Sequence, residues 1–379
     1  MSDRPRSRWR SLLRVVLVVA ASLLLLEWTL RWLIFSDTEL AQKLGESLRD
    51  PTYFCAHELG SEFYLIRANM AKPALAEYPC PTADPLLGWT SSEFGGERYV
   101  HVGEATLGER RPVLFYGDSF TQCVERAGNC WETLLEAHPL ASSMSLLNFG
   151  VGGYGFDQTY LTCRETLPRL VERDPVVLVG LLIDDDLDRC ALSLRSWPKP
   201  RFLYEGDELV LQKPHGPSAA DVIAQESAGI TSYLVRLLLH EGGVPNELRV
   251  KCLGRESQSE EVRAVTRGLL DRFAELFAEH EIEPLFVVFH GPELTRTGAV
   301  GWREAFFTEE LEARGLAWLN AGQILRDAAT QSGRSTDDYF FLDDGRGRNH
   351  LTQEGNATIF QALTPKLAGT AVSDTSFPR

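Results

Sequence analysis

The sequence predicts a doubly wound α/β domain with a parallel central sheet, preceded by one membrane-spanning helix. From Arg111 onward, short apolar runs alternate with amphipathic stretches, the signature of strand–helix–strand units. Most of these runs are apolar at consecutive positions, as strands covered on both faces should be. At the other end of the chain, an arginine-flanked apolar segment occupies residues 12–35.

The chain has 379 residues, 44% hydrophobic and 24% charged, with 53 acidic against 38 basic side chains and a formal net charge of −15. Such a composition can bury a sizeable core and excludes intrinsic disorder, collagen-like repetition and a polytopic membrane protein. Nucleic acid is excluded as the main partner, because neutralising phosphates needs a surplus of Lys and Arg.

Residues 1–35 reverse the overall balance: Arg4, Arg6, Arg8, Arg10, Arg14 and Arg31 stand against Asp3 and Glu27. Leu12 to Phe35 would make a helix about 36 Å long, enough to cross a bilayer. Glu27 and Arg31 are four residues apart and would offset each other on one helix face, and Trp28 and Trp32 suit the headgroup level. The arginines before the run place the N-terminus inside and the remaining chain outside the cytoplasm. Two other readings are a signal peptide, whose apolar core would be Val15 to Leu26, and a buried core helix. Glu27 is followed by further apolar sequence rather than by a cleavage site, and the arginine flank is foreign to a core, so an uncleaved anchor is expected.

Residues 36–110 are rich in turn formers, including Pro51, Pro73, Pro79, Pro81 and Pro85, and read as a stalk and covering subdomain. The α/β domain occupies 111–370. Its strands are expected at Val113 to Tyr116, Ser145 to Phe149, Val176 to Leu182, Leu285 to Phe289 and Leu316 to Leu319. Val262, Val265, Leu269, Phe273, Leu276 and Phe277 recur at helical spacing and mark a helix covering one sheet face. Residues of about 196–258, with Pro198, Pro200, Pro214 and Pro217, read as an insertion. Seven cysteines show neither a CxxC nor zinc-ligand spacing, so no metal is expected. Outside the cytoplasm, proximity suggests Cys55 with Cys80 and Cys123 with Cys130, the alternative being buried free thiols.

Ligands of such sheets bind beyond the carboxyl ends of the strands. After the first strand stands Gly117-Asp118-Ser119, which places a hydroxyl at a strand-to-helix turn; a plain helix N-cap is the other reading. After the second comes Asn148-Phe149-Gly150-Val151-Gly152-Gly153-Tyr154-Gly155, whose backbone N–H groups can face an anion. Gly150, Gly152 and Gly155 also spell GxGxxG, and with Asp184 after the next strand a dinucleotide site is a rival reading. After the third strand, Asp184-Asp185-Asp186-Leu187-Asp188 is an acidic loop or helix start. Near the C-terminus, His350 lies in a polar loop just before the final helix, with Asp343 and Asp344 upstream.

Together these residues resemble the SGNH/GDSL superfamily of serine esterases and acyltransferases. Gly117-Asp118-Ser119 is similar to its nucleophile motif, Asn148-x-Gly150-x-x-Gly153 to its glycine motif, Val176 to Asp185 to its third motif and His350-Leu-Thr-x-x-Gly355 to its histidine motif. The resemblance covers about residues 111–368. It implies a flavodoxin-like three-layer α/β/α doubly wound parallel sheet, with Ser119 as nucleophile, His350 as general base and Asp344 as the acid that orients it. It also implies oxyanion donors at Ser119, Gly153 and the position held by Asp184, with no cofactor. Two positions depart from the family. Asp184 stands where an Asn side chain donates, and a carboxylate donates only when protonated. The acid expected two or three residues before His350 is replaced by Gly347, Arg348 and Asn349, leaving Asp344 six residues upstream.

The activity implied is ester hydrolysis at a membrane-anchored, extracytoplasmic domain, on a small-molecule ester or an O-acyl group of a glycan or lipid. The alternatives are an O-acyltransferase acting on an extracytoplasmic polysaccharide and a non-catalytic relative that uses the same pocket for binding.

Overall fold

The structure, a computed structural model, describes residues 5–36, 38, 48–49, 82–90, 107–124, 127–128, 130–195, 197–215, 230–239, 258–343 and 347–369. The chain forms two compact units, Met1–Leu75 with Pro217–Ser257 and Ala76–Gly216 with Gln258–Arg379. The division runs through the expected insertion. Phe202 and Leu209 join the core of the larger unit, which draws the first part of the insertion into it.

In the smaller unit, helix α1 (Pro5–Ile34) is free of proline and glycine beyond its first residue, and its Leu, Val and Ala residues sustain a long helix. Trp9–Ile34 is long and apolar enough to cross a membrane, and its side chains are largely exposed, Leu24 by 71% and Val18 by 65%.

The larger unit begins with a small antiparallel hairpin, β1 (Thr82–Asp84) and β2 (Gly88–Thr90). Next come β3 (Arg111–Gly117), α2 (Ser119–Gln122), α3 (Trp131–Glu136), β4 (Met144–Gly150), α4 (Phe156–Thr166), β5 (Val176–Leu182) and α5 (Asp186–Arg189). Two hairpins follow, β6 (Leu194–Arg195) with β7 (Trp197–Pro198) and β8 (Arg201–Glu205) with β9 (Glu208–Gln212). After α6 (Tyr233–Leu239), which belongs to the smaller unit, the chain returns through α7 (Gln258–Glu279), β10 (Leu285–Phe289), α8 (Pro292–Thr297) and α9 (Trp302–Ala313). It ends with β11 (Ala317–Asn320), α10 (Ala321–Ser332) and α11 (Gln353–Leu367).

The central sheet has the order β11-β10-β5-β3-β4, and every pairing in it is parallel. In strand sequence this is 2-1-3-4-5, the flavodoxin-like order that the four-motif resemblance implies. Successive strand residues enter opposite cores, as the period-two pleat requires. Leu114, Tyr116, Val177, Val179, Phe286 and Val288 pack under α4, α7 and α9. Val113, Phe115, Leu178, Leu285 and Val287 pack under α3, α10 and α11. All six apolar positions expected to cover the sheet from α7 are buried in the first of these cores.

One buried ion pair ties the insertion to this body. Lys199 and Asp157 are both fully enclosed and bonded to each other, and the Lys199 ammonium also donates to the carbonyls of Leu192 and Pro200. Burial pushes the Asp157 carboxyl up, and Lys199 opposes that rise. The Cys123–Cys130 bond proposed from proximity is present. Cys163 and Cys190 are buried free thiols, while Cys55, Cys80 and Cys252 lie outside the described residues.

Candidate active site

Strand β3 delivers its last residue, Gly117, to the carboxyl edge of the sheet, and the chain turns at once into the short helix α2. Asp118 caps that helix, its Oδ1 accepting from the Phe120 N–H at 2.9 Å. Ser119 is the first helical residue, so its own N–H has no intrahelical partner. The C-terminal end of the helix is held by the Cys123–Cys130 bond.

His350 reaches Ser119 across 231 positions of sequence: its Nε2 lies 2.9 Å from Ser119 Oγ. The loop carrying it is tied to Phe341 and Tyr339. Phe341 N–H donates to the His350 carbonyl, Asn349 N–H to the Phe341 carbonyl and Thr352 N–H to the Tyr339 carbonyl, at 2.7–2.9 Å. The imidazole also stacks on Phe120, with centroids 5.1 Å apart. Its Nδ1 sits 3.0 Å from the Arg348 carbonyl. A carbonyl only accepts, so Nδ1 carries the proton in the neutral ring and Nε2 presents a lone pair to the Ser119 hydroxyl.

Among the described residues the partner of His350 Nδ1 is a backbone carbonyl. Asp344 lies outside the described residues, and Asp343 is exposed. The nearest buried carboxylate to the hydroxyl is Asp118, whose Oδ2 is 3.3 Å from Ser119 Oγ.

The glycine loop explains itself by where its N–H groups go. Gly150 N–H donates to Asn148 Oδ1, Gly152 N–H to Gln122 Oε1 and Gly155 N–H to Gln158 Oε1. Val151 and Tyr154 N–H donate to the carbonyls of Gly117 and Val151. Among the described residues this leaves the Gly153 N–H without a protein acceptor. Gly153 has φ +85°, and a Cβ there would stand 2.5 Å from Arg195 Nη1. At Gly150 a Cβ would strike the α2 backbone at 2.2 Å, so the loop and the nucleophile helix are in direct backbone contact. The dinucleotide reading fails here: all three glycines of the GxGxxG string spend their N–H groups on side-chain carbonyls. Ser119 N–H and Gly153 N–H are thus two backbone donors at this edge without an acceptor among the described residues.

Asp184 has a backbone partner of its own. Strand β5 lies between β3 and β10, and Asp184 bonds across to the β10 side, its Oδ2 accepting from Gly291 N–H at 2.6 Å. Burial pushes its carboxyl up, and the Gly291 N–H opposes that rise. Among the described residues its hydrogen-bond partner is Gly291 rather than Ser119. The rest of the acidic run turns inward instead. Arg189 binds Asp186 and, at 2.6 Å, Asp185; it donates to the Tyr154 carbonyl at 2.8 Å and stands 3.8 Å from Asp118 Oδ2. One guanidinium thus serves three carboxylates. Burial pushes Asp118 up, with Arg189 pulling the other way. Asp186 is pushed up further, by burial and then by the Asp118 charge.

Sequence reasoning missed Asp118, Gln122 and Arg189 as parts of this site. Arg189 was legible in part, because Asp185 and Asp186 precede it at the four- and three-residue spacing of a helix face. Nothing local signals the Gln122–Gly152 bond, which joins two loops thirty positions apart.

The fold is a flavodoxin-like sandwich, and at the carboxyl edge of its sheet Ser119 lies 2.9 Å from His350 beside the Gly153 N–H. No protein-family model and no curated protein matches the sequence. Solved structures similar to this chain include the acetyl xylan esterase AlAXEase, at 13% identity over 67% of this chain and 98% of that one, with a TM-score of 0.38. Axe2, an acetylxylan esterase from Geobacillus stearothermophilus, is 11% identical over 68% of this chain and 94% of its own, with a TM-score of 0.35. A lipase/acylhydrolase from Enterococcus faecalis is 12% identical over 68% and 96%, with a TM-score of 0.33.

Proposed function

We propose that this protein is an SGNH-type ester hydrolase in which Ser119 is the nucleophile and His350 the general base. The observation that carries the reading is the 2.9 Å approach of His350 Nε2 to Ser119 Oγ, with the tautomer set by the Arg348 carbonyl. Ser119 attacks the ester carbonyl as its proton passes to Nε2. The tetrahedral oxyanion is held by the N–H groups of Ser119 and Gly153, and the imidazolium then protonates the leaving alkoxide. Water, deprotonated by His350, attacks the acyl-enzyme and releases the acid. The ionised Asp118 carboxylate stabilises the transient imidazolium from beside Ser119, a task given to the third residue in other serine hydrolases.

The substrate class we infer is a small ester or an O-acyl group of a glycan or lipid, met outside the cytoplasm by a body anchored through α1. The disulfide beside the nucleophile helix supports an oxidising compartment. The test uses the full chain in detergent. Hydrolysis of aryl acetates and labelling by a fluorophosphonate are both expected, both lost in Ser119→Ala and both strongly slowed in His350→Ala. Hydrolysis undiminished in Ser119→Ala would overturn the mechanism, and a wild-type chain that neither turns over nor labels would favour the binding-protein alternative.

A further inference from the structure

The smaller unit holds an unusual joint. Glu27, inside the apolar helix α1, caps a helix more than two hundred residues away. Its Oε1 accepts from Tyr233 N–H at 2.9 Å, and its Oε2 accepts from Leu234 N–H at 2.8 Å and Ser232 Oγ at 2.9 Å. Arg31, one turn on, pairs with Glu27 at 2.8 Å and donates to the Thr231 carbonyl at 2.9 Å. Its guanidinium lies over the Tyr233 ring, 5.0 Å from the centroid. Beneath these bonds, Ile34, Leu48 and Leu239 form a small apolar core. The last two turns of α1 and the helix α6 are one packed piece.

From this joint we infer that α6 is a second membrane element, lying in the bilayer surface beside the point where α1 emerges. The inference rests on reading α1 as a membrane span. Counted from Leu12, a hydrocarbon core of about 30 Å is crossed in about twenty residues, which brings the boundary to the neighbourhood of Arg31. Glu27 and Arg31 then sit where polar groups can be hydrated or paired, and α6, bonded to both, lies at the same level. Its sequence, Tyr-Leu-Val-Arg-Leu-Leu-Leu, suits that level. Val235 and Leu238, one turn apart, are 40% and 50% exposed, whereas a helix facing only water would place polar side chains there. Trp28 and Trp32 of α1 are exposed at the same end, in the manner of an interfacial aromatic belt. The occupant of the exposed α6 face is thus the headgroup–acyl boundary of a lipid bilayer. The joint also bears on processing. Cleavage after α1 would strip α6 of its cap and its core, so α1 is retained in the mature chain.

The test uses the full chain in phosphatidylcholine–phosphatidylglycerol vesicles, with an environment-sensitive fluorescent amino acid incorporated at Leu238 or, separately, at Leu17 in the middle of α1. Lipids carrying a nitroxide near the headgroup should quench the Leu238 probe and lose it most of its emission, together with a blue shift relative to detergent-free unfolded chain. Lipids with the nitroxide near the chain end should quench the Leu17 probe. In Glu27→Ala, the Leu238 signal should fall toward that of a water-exposed probe while the Leu17 signal is kept. Quenching at Leu17 with none at Leu238 overturns the α6 proposal and leaves the span intact. No quenching at Leu17 overturns the span itself, and an N-terminus found beyond Ile34 overturns retention.

Discussion

Replacing Asp118 by Asn tests how the site manages without an acid two or three residues before its histidine. Asn keeps the helix cap, since its Oδ1 can still accept from Phe120 N–H, but it removes the charge. The 3.3 Å from Asp118 Oδ2 to Ser119 Oγ and the 2.9 Å onward to His350 Nε2 bring the carboxylate within about 6.2 Å of the proton-accepting nitrogen. At an effective dielectric constant of about 20, a unit charge at that separation stabilises an imidazolium by about 2.7 kcal/mol. That is a loss of about a hundredfold in kcat, since each 1.36 kcal/mol is tenfold. The loss should depend on pH. Burial raises the Asp118 carboxyl above its ordinary range, so as the medium is acidified the wild-type charge disappears and the two enzymes converge. The assay is kcat on an aryl acetate for both enzymes across pH. A ratio that does not change with pH, or an undiminished kcat at alkaline pH, would refute the role given to Asp118. Stability offers an independent reading of the same group. With its folded value raised, Asp118 binds more proton in the folded than in the unfolded chain. Its contribution is therefore present below the unfolded value and lost as pH rises through the folded one. Asp118→Asn should accordingly denature later than wild type at alkaline pH, with the difference closing on acidification.

Other perturbations have defined outcomes. Gly153→Ala places a methyl where φ is +85° and against Arg195, displacing the oxyanion N–H; kcat should fall by about 100- to 1,000-fold with KM little changed. Lys199→Met leaves Asp157 buried without its cation and should cost about 3–5 kcal/mol in urea denaturation. Adding Asp157→Leu should recover most of that loss, and a double variant no better than the single would count against it. Cys130→Ser opens a bond that spans seven positions and should cost about 2–3 kcal/mol, the same loss a reductant imposes on wild type. Asp184→Asn, whose carboxylate is held by Gly291 N–H on the β10 side, should leave kcat nearly unchanged; a large gain or loss would return Asp184 to the oxyanion site.

The strands and the helix that covers them were legible because burial on both faces demands consecutive apolar residues and burial on one helix face demands a 3.6-residue period. Val176 to Leu182 coincides with β5, and the other expected strands agree to within two residues at either end. Ser119, His350 and the glycine loop were legible for a related reason. Each follows a strand or precedes a helix, and the carboxyl edge of a parallel sheet collects whatever stands there. The partners of the acidic run were not legible, because three consecutive aspartates carry no mark of which carboxylate faces which neighbour. Adjacent residues in a turn diverge, and here Asp184 bonds to Gly291 while Asp185 and Asp186 bond to Arg189.

From its own sequence this protein had a parallel α/β sheet, an apolar N-terminal helix and a serine and a histidine at opposite ends of the sheet domain. These depend on periodicity and on residue types beside strand ends, which are local properties. Tertiary structure decided the rest: that the Arg348 carbonyl bonds His350 Nδ1, that Gln122 and Asn148 spend the N–H groups of Gly152 and Gly150 and leave that of Gly153, that one arginine stands among three carboxylates beside Ser119, and that Glu27 caps α6. Gln122 with Gly152 and Glu27 with α6 join groups far apart in the chain, and the shorter-range contacts too are selected by packing and by the need of buried polar groups for partners. No local pattern records which partner each one finds.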